Sequence, residues 1–237
     1  MVTMVCGTKE PRMLTDAALT LELRAAAAYA EASARFNAIE GYLHPLEGFA
    51  LARLAAAGEG VGEIVEIGSF MGRSTAWLAW GAASTGRERV TAIDHFMGSP
   101  EHQKGQPWEC KDVVESGSTL ARFRTNIEKA GVAGHVDAIV APSLQARRSW
   151  TKPIRLLFID GDHSYDASRA DFEAWSPLVV HRGCIALHDV GAWEGVTKFF
   201  QELSGTPGAF RTIAAVNSLR ILQRVAPVES GAVRRSA

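Results

Sequence analysis

A chain of 237 residues, 47% of them hydrophobic, carries enough apolar surface for one substantial core, and we expect a single domain. Its 25 basic and 26 acidic residues leave a formal charge of -1, which gives no long-range attraction to phosphate backbones or anionic membrane surfaces. Nucleic acid and membrane are therefore set aside as partners, and Cys6, Cys110 and Cys184, odd in number and without CxxC spacing, argue against a disulfide framework or a thiolate zinc site.

In chain order, the opening "MVTMVCGTKEPRM" lacks the apolar core of a signal peptide, and no later run approaches a membrane span, so we expect a cytoplasmic protein. Thr15 is placed to cap "DAALTLELRAAAAYAEASARF", whose apolar positions recur at helical intervals, and a second helix is predicted after Pro45, ending near Gly58 or Gly60. These form an N-terminal helical segment over about 14–58. A core over about 62–225 follows, in which "EIVEIG", "RVTAID", "VDAIV", "IRLLFID" and "CIALHD" alternate with helix-like segments at 73–84, 118–130 and 165–177. Short β-branched runs alternating with helices predict βαβ units, hence an α/β fold with a Rossmann-like doubly wound, mostly parallel sheet of seven strands. "FRTIAAV" and "LRILQRV", separated by Asn217 and Ser218, predict an antiparallel C-terminal hairpin, and 226–237 read as a loose tail. The longest irregular stretch, 96–118, has the length of a lid or substrate loop.

Ligands of open parallel sheets bind where the carboxyl ends of the strands open into a crevice. After the first predicted strand comes "VEIGSFMGRST", in which Gly68 permits a sharp turn, Gly72 a close approach, and Ser74 with the following helix N-terminus offers donors. Alone, this pattern is also that of an ordinary strand-to-helix turn. Asp94 ends the second strand, 26 residues after Gly68, where a carboxylate can accept from two ribose hydroxyls. A nicotinamide fingerprint would need glycine where Phe70 stands.

At these residues the sequence resembles the class I S-adenosylmethionine-dependent methyltransferases: "VEIGSFMGRS" is similar to their first motif and "VTAID" to their acidic second motif. The resemblance implies that Gly68, Phe70 and Ser74 line the methionine portion of the cofactor and Asp94 its ribose; His95, adjoining Asp94 in sequence, is a further candidate for contact with the cofactor. Ser143 would lie near the adenine, although a helix-capping role suits Ser143 equally well.

"FIDGDHSYD" and "GCIALHDV" then bring Asp160, Asp162, His163, His188 and Asp189 to two strand ends, a set that offers ligands for a divalent ion and a base beside it. Individually, Asp162 or Ser164 would cap the next helix and His188 would be a satisfied interior histidine. The span from "LLFIDGDHSYD" to "HRGCIALHDV" resembles the metal-dependent branch that includes catechol, caffeoyl-coenzyme A and macrolide-sugar O-methyltransferases. This implies Asp160, His188 and Asp189 as metal ligands, His163 as the catalytic base, and Asp162 facing the cofactor. Magnesium is the ion expected, but histidine at 188 also suits manganese, iron or zinc. The function so implied is O-methylation of a small hydroxylated molecule, with a homo-oligomer allowed for. The alternatives are a metal-dependent hydrolase or hydroxylase-like enzyme on the same fold, and a non-catalytic cofactor-binding scaffold. His44 is a further candidate for the site, Trp108 and Trp150 for ligand contact, and His102, His135 and His181 are expected in loops.

Overall fold

The computed structural model describes residues 16–205 and 208–225. The capping role expected of Thr15 and the tail at 226–237 lie outside the described residues. Helix α1 spans Asp16–Phe36 and α2 Pro45–Ala57, followed by β1 (Glu63–Ile67), α3 (Arg73–Ser84), β2 (Val90–Asp94), α4 (Lys111–Ser116) and α5 (Leu120–Lys129). Then come β3 (Val136–Val140), α6 (Ser143–Ser149), β4 (Ile154–Ile159), α7 (Tyr165–Trp175), β5 (Val179–Leu187), α8 (Glu194–Gly205), β6 (Phe210–Val216) and β7 (Leu219–Arg224). Among the described residues, no helix is long and apolar enough to cross a membrane.

The helix starts follow local chemistry. Pro45 opens α2 with its fixed φ, and a reciprocal cap closes the end: the His44 ring accepts from the Leu46 amide while the Glu47 carboxylate accepts from the His44 amide. His44, a candidate for the site, is thus an exposed helix cap. Ser164 caps α7 by accepting from the Ala167 amide, and Asp162 braces the same turn by accepting from the Ser164 amide at 2.8 Å.

The seven strands run in the order β3-β2-β1-β4-β5-β7-β6, with β7 antiparallel to both of its neighbours and the first five strands parallel. Connections leave β1 toward β2 and β3 on one side and take up β4 and β5 on the other, so the topological switch point lies between β1 and β4. Strand alternation feeds two cores. Ile64, Leu156 and Phe158 face α1–α3 and α5, whereas Val65, Ile67, Leu157 and Ile159 face α6–α8. Helices α2 and α3 pack closely because Gly48 lies against the Trp77 indole and Gly81 against the Ala52 backbone, where any Cβ would overlap.

Three expectations change. β5 begins at Val179, so His181 lies in a strand; a register shift opposite Ile154–Leu156 and the left-handed Arg182 absorb the irregular start that hid it. The 96–118 segment is not structureless: Pro100–His102 form a 3-10 turn and Lys111–Ser116 are helical, anchored by buried Phe96, His102, Cys110 and Val113. Trp150 packs edge-on against Trp175 and donates to the Lys152 carbonyl, away from the strand tips.

Glu66 shares the α3-facing side of β1 with Ile64 and is fully buried beneath the glycine turn, accepting from the Ser69 and Thr75 hydroxyls. Burial raises its pKa to about 7, against the pull of the Ser74, Thr75 and Ser69 hydroxyls, with a further push from the Asp160 charge. A carboxyl raised from 4.5 to about 7 in the fold stabilises fully below 4.5 and loses that contribution as pH rises to about 7. Glu66→Gln should therefore gain stability relative to the parent between pH 4.5 and 7, by about 3 kcal/mol at most. Urea unfolding of both proteins across that range measures it, and parallel pH profiles would contradict an ionising Glu66.

Candidate active site

Past the carboxyl ends of the parallel strands lies a cavity of about 760 Å³, within the size of pockets that hold drug-sized molecules, about 300–1,000 Å³. It is lined by Gly68, Phe70, Ser74, Asp94, His95, Ser143, Asp160, Asp162, His163, His188 and Asp189, and by Trp108, whereas Gly72, His44 and Trp150 are not among its lining residues. The strand register brings them there. Ile93, Ile67, Ile159 and Leu187 are partners across four parallel strands, so the next residues, Asp94, Gly68, Asp160 and His188, form one row at the rim. Ladder bonds continue into that row: the Gly68 amide donates to Ile93, Asp160 to Ile67, and His188 to Ile159.

Gly68, at φ +83°, lies against the Asp160 carbonyl oxygen, which any Cβ would overlap. Its lack of a side chain serves the junction of β1 and β4. Asp94 governs the turn that follows: Oδ2 accepts from the Ser69 and Phe70 amides, each at 2.8 Å, and Oδ1 accepts from the Phe96 amide at 2.5 Å. Phe70 and Phe96 both sit at left-handed φ, +46° and +59°, and the same carboxylate holds both in place. His95 turns its Nδ1 to the Met97 amide, and Ser74 is buried above Glu66.

The ionisable cluster is built around two imidazoles. His188, 4% exposed, directs Nδ1 at Asp160 Oδ1 (3.0 Å) and Asp189 Oδ2 (3.3 Å), and Nε2 at Glu47 Oε2 (3.0 Å). Burial opposes a charge on this ring, but the carboxylates of Asp160, Asp189 and Glu47 outweigh it and raise its pKa well above the usual range. Both ring nitrogens of His188 thus face carboxylates, Nδ1 toward Asp160 and Asp189 and Nε2 toward Glu47. His163 sets Nδ1 against Glu101 Oε1 (2.8 Å) and Nε2 against Asp189 Oδ2 (2.9 Å), and its ring stacks on Trp193 at 4.6 Å. Burial again opposes the charge, yet the Asp189 bond and the charges of Asp160, Asp189 and Glu101 push its pKa up to about 9. Asp189, at φ +64°, is itself held well below the carboxylate range, its burial outweighed by both histidines.

Ligand atoms of Asp160, His163 and Asp189 lie within 4.8 Å of one another, a donor set of two carboxylates and an imidazole that fits a divalent cation. His163 is the histidine of this group, and His188 adjoins it through Asp160 and Asp189.

Sequence reasoning passed over four lining or supporting residues. Glu47 on α2, 1% exposed, joins His188 to the Ser218 amide and hydroxyl, both at 2.8 Å. Glu101 arrives from the 96–118 segment. His102, expected in a loop, stacks on Phe70 at 4.8 Å, with Tyr42 stacked beyond it and Trp108 edge-on to Tyr42. Asp171 on α7 accepts the Ser143 hydroxyl at 2.5 Å. The one available signal was the capping-box glutamate; the others reach the cavity from elements whose sequence carries no mark of it.

A methyltransferase domain family model matches residues 65–190, just over half of the chain. A catechol O-methyltransferase of Mycobacterium tuberculosis is 29% identical over 127 residues, 53% of this chain and 46% of that protein, so the chain spans about half the length of this relative. In solved structures, a cofactor-bound protein from MTB superposes with a TM-score of 0.58 at 22% identity, covering 92% of this chain and 100% of that one. An O-methyltransferase from Bacillus cereus in complex with SAH superposes at 0.56 and 22% identity, covering 90% and 92%. At these identities the structures share the fold, while the family match runs from the first strand and its glycine turn to the tip of β5: the chain belongs to the methyltransferase domain family.

Proposed function

We propose that this protein transfers the methyl group of S-adenosylmethionine to a hydroxyl of a small molecule, with a divalent cation held at Asp160 and Asp189. The observation that carries the reading is that one cavity joins the Asp94-pinned glycine turn to the Asp160, His163 and Asp189 group. The catechol O-methyltransferase relative and the SAH complex of the Bacillus cereus enzyme support it.

When bound, S-adenosylmethionine supplies an electrophilic methyl group and the cation lowers the pKa of a nearby hydroxyl. Everything else falls to the chain. Asp94 Oδ1 receives one amide and keeps acceptor capacity for a ribose hydroxyl. The 68–74 turn walls the methionine portion. Glu101 takes the Nδ1 side of His163, which leaves Nε2, beside Asp189, as the atom that receives the acceptor's proton. Two of the three carboxylates that raise His163 to about 9, Asp189 and Asp160, are those that would hold the cation, so neutralising them frees Nε2 for this work. Trp193 fixes the ring plane by stacking. Aligning the hydroxyl with the methyl group is the rest of the task.

Methyl transfer to a panel of hydroxylated acceptors, with and without chelation, tests the function. Asp160→Ala should abolish metal-stimulated turnover and leave cofactor binding largely intact; His163→Ala should lose about 10²–10⁴ in the chemical step and recover part of it at raised pH. Full turnover after exhaustive chelation, verified by elemental analysis, would remove the cation from the mechanism. Asp94→Ala should weaken S-adenosylhomocysteine by about 1.5–3 kcal/mol and also lower the Tm, since it frees the Phe70 and Phe96 amides. Equal affinities by calorimetry would take Asp94 out of the ribose role.

A further inference from the structure

We infer that Glu47 is a positioning residue for the cation set: it holds Asp189 in place from both sides, so that its loss weakens divalent cation binding while sparing the cofactor. The inference rests on the reading of Asp160 and Asp189 as the carboxylates that hold a cation.

Asp189 stands just past the end of β5 at φ +64°, a left-handed conformation uncommon for a residue other than glycine. Its neighbours in sequence carry the constraint. On one side, the His188 ring sets Nε2 3.0 Å from Glu47 Oε2, while Nδ1 faces Asp160 Oδ1 at 3.0 Å and Asp189 Oδ2 at 3.3 Å. On the other side, the Val190 amide donates to the Ser218 carbonyl at 3.0 Å, and the Ser218 amide and hydroxyl both donate to Glu47 Oε1 at 2.8 Å. Residues 188 and 190 are thereby tied to the two oxygens of one carboxylate, with Asp189 between them.

Glu47 is itself held. It occupies the third position of α2, is 1% exposed, and its Oε2 also accepts from the His44 amide at 2.9 Å, so the start of the helix sets its orientation. It does not line the cavity, and neither does Ser218. Any effect of Glu47 on a ligand therefore passes through His188 and Ser218 to the β5 tip, away from the glycine turn and Asp94. Side chains that orient the ligands of a cation in this way commonly shift its affinity by about 10–100-fold when they are replaced. Glutamine at 47 keeps the shape but has one carbonyl oxygen where the carboxylate has two, so an NH₂ group meets either the His44 amide and His188 or the Ser218 donors.

Manganese titration, followed by the electron paramagnetic resonance of the free ion, together with calorimetry of S-adenosylhomocysteine, tests this. Glu47→Gln should bind manganese about tenfold or more weakly than the parent, keep the parental affinity for S-adenosylhomocysteine, and recover turnover as manganese is raised. Ser218→Ala, which removes the hydroxyl donor and keeps the amide, should weaken manganese by a smaller factor, about threefold. Should Glu47→Gln fail to fold by circular dichroism, Ser218→Ala carries the test with the same two readouts. Parental manganese affinity in the folded variant would overturn the inference, as would equal losses of manganese and S-adenosylhomocysteine, the mark of a merely structural role; both leave the cation reading standing. No manganese binding by the parent would instead overturn the cation reading and the inference with it.

Discussion

The register of the parallel ladder between β2, β1, β4 and β5 is the constraint on which the site depends. Four strands end in step at Ile93, Ile67, Ile159 and Leu187, and the backbone bonds run one residue further, into Gly68, Asp160 and His188. A parallel ladder at fixed spacing thereby sets acid, glycine, acid and histidine side by side on four segments remote in sequence. The glycine has to be there. Strands β1 and β4 meet at the switch point with the Asp160 carbonyl against the Gly68 Cα, so any side chain would force the two tips apart and break the row. A shift of one residue in any of these pairings would turn its functional side chain to the opposite face of the sheet.

Charge sets the second constraint. Asp160, Asp189 and Glu47 converge on one buried imidazole, and Asp189 also meets His163, so the cluster persists because two rings donate into an excess of carboxylates. Glu47, held below the usual range at about 2, with burial opposing and the His188 bond prevailing, also takes both Ser218 donors. Helix α2 and the β6–β7 turn are thus fastened to the tip of β5 by one side chain. Removing a partner from such a set costs more than its pairwise bond, because a buried charge is left behind.

The same facts explain what was legible in the sequence. β1–β5 announce themselves as short apolar runs, and because ligand sites on parallel sheets lie just past strand ends, the residues of "IG", "ID" and "LHD" that line the cavity could be placed at its rim without a structure. The direction of a side chain within the site could not. His188 and His163 both stand beside an acid, and only the packing of α2 reveals that Glu47 takes the far nitrogen of one ring, 141 residues away. Glu101 and Asp171 were invisible for a related reason: each sits on a turn or helix face whose pattern reads as solvated or capping, and contact over 62 and 28 residues brings it to the cavity wall. The start of β5 was misjudged because the bulge around Arg182 interrupts the apolar run that marks a strand.

Strain and acceptors are paired throughout this site. Phe70, Phe96 and Asp189 each occupy a left-handed conformation that costs a non-glycine residue about 1–3 kcal/mol, and each is fixed by carboxylate bonds. Asp94 receives the amides of the two phenylalanines, while Asp189 is gripped through its own side chain by His163 and His188. Charge-assisted bonds of this kind contribute about 1.5–3 kcal/mol, enough to offset the strain one for one. The carboxylates that would meet a ligand are thus the same groups that hold the backbone around it. A cavity so built is shaped before anything enters, and the ordering cost of binding is lowered by what was already spent in folding.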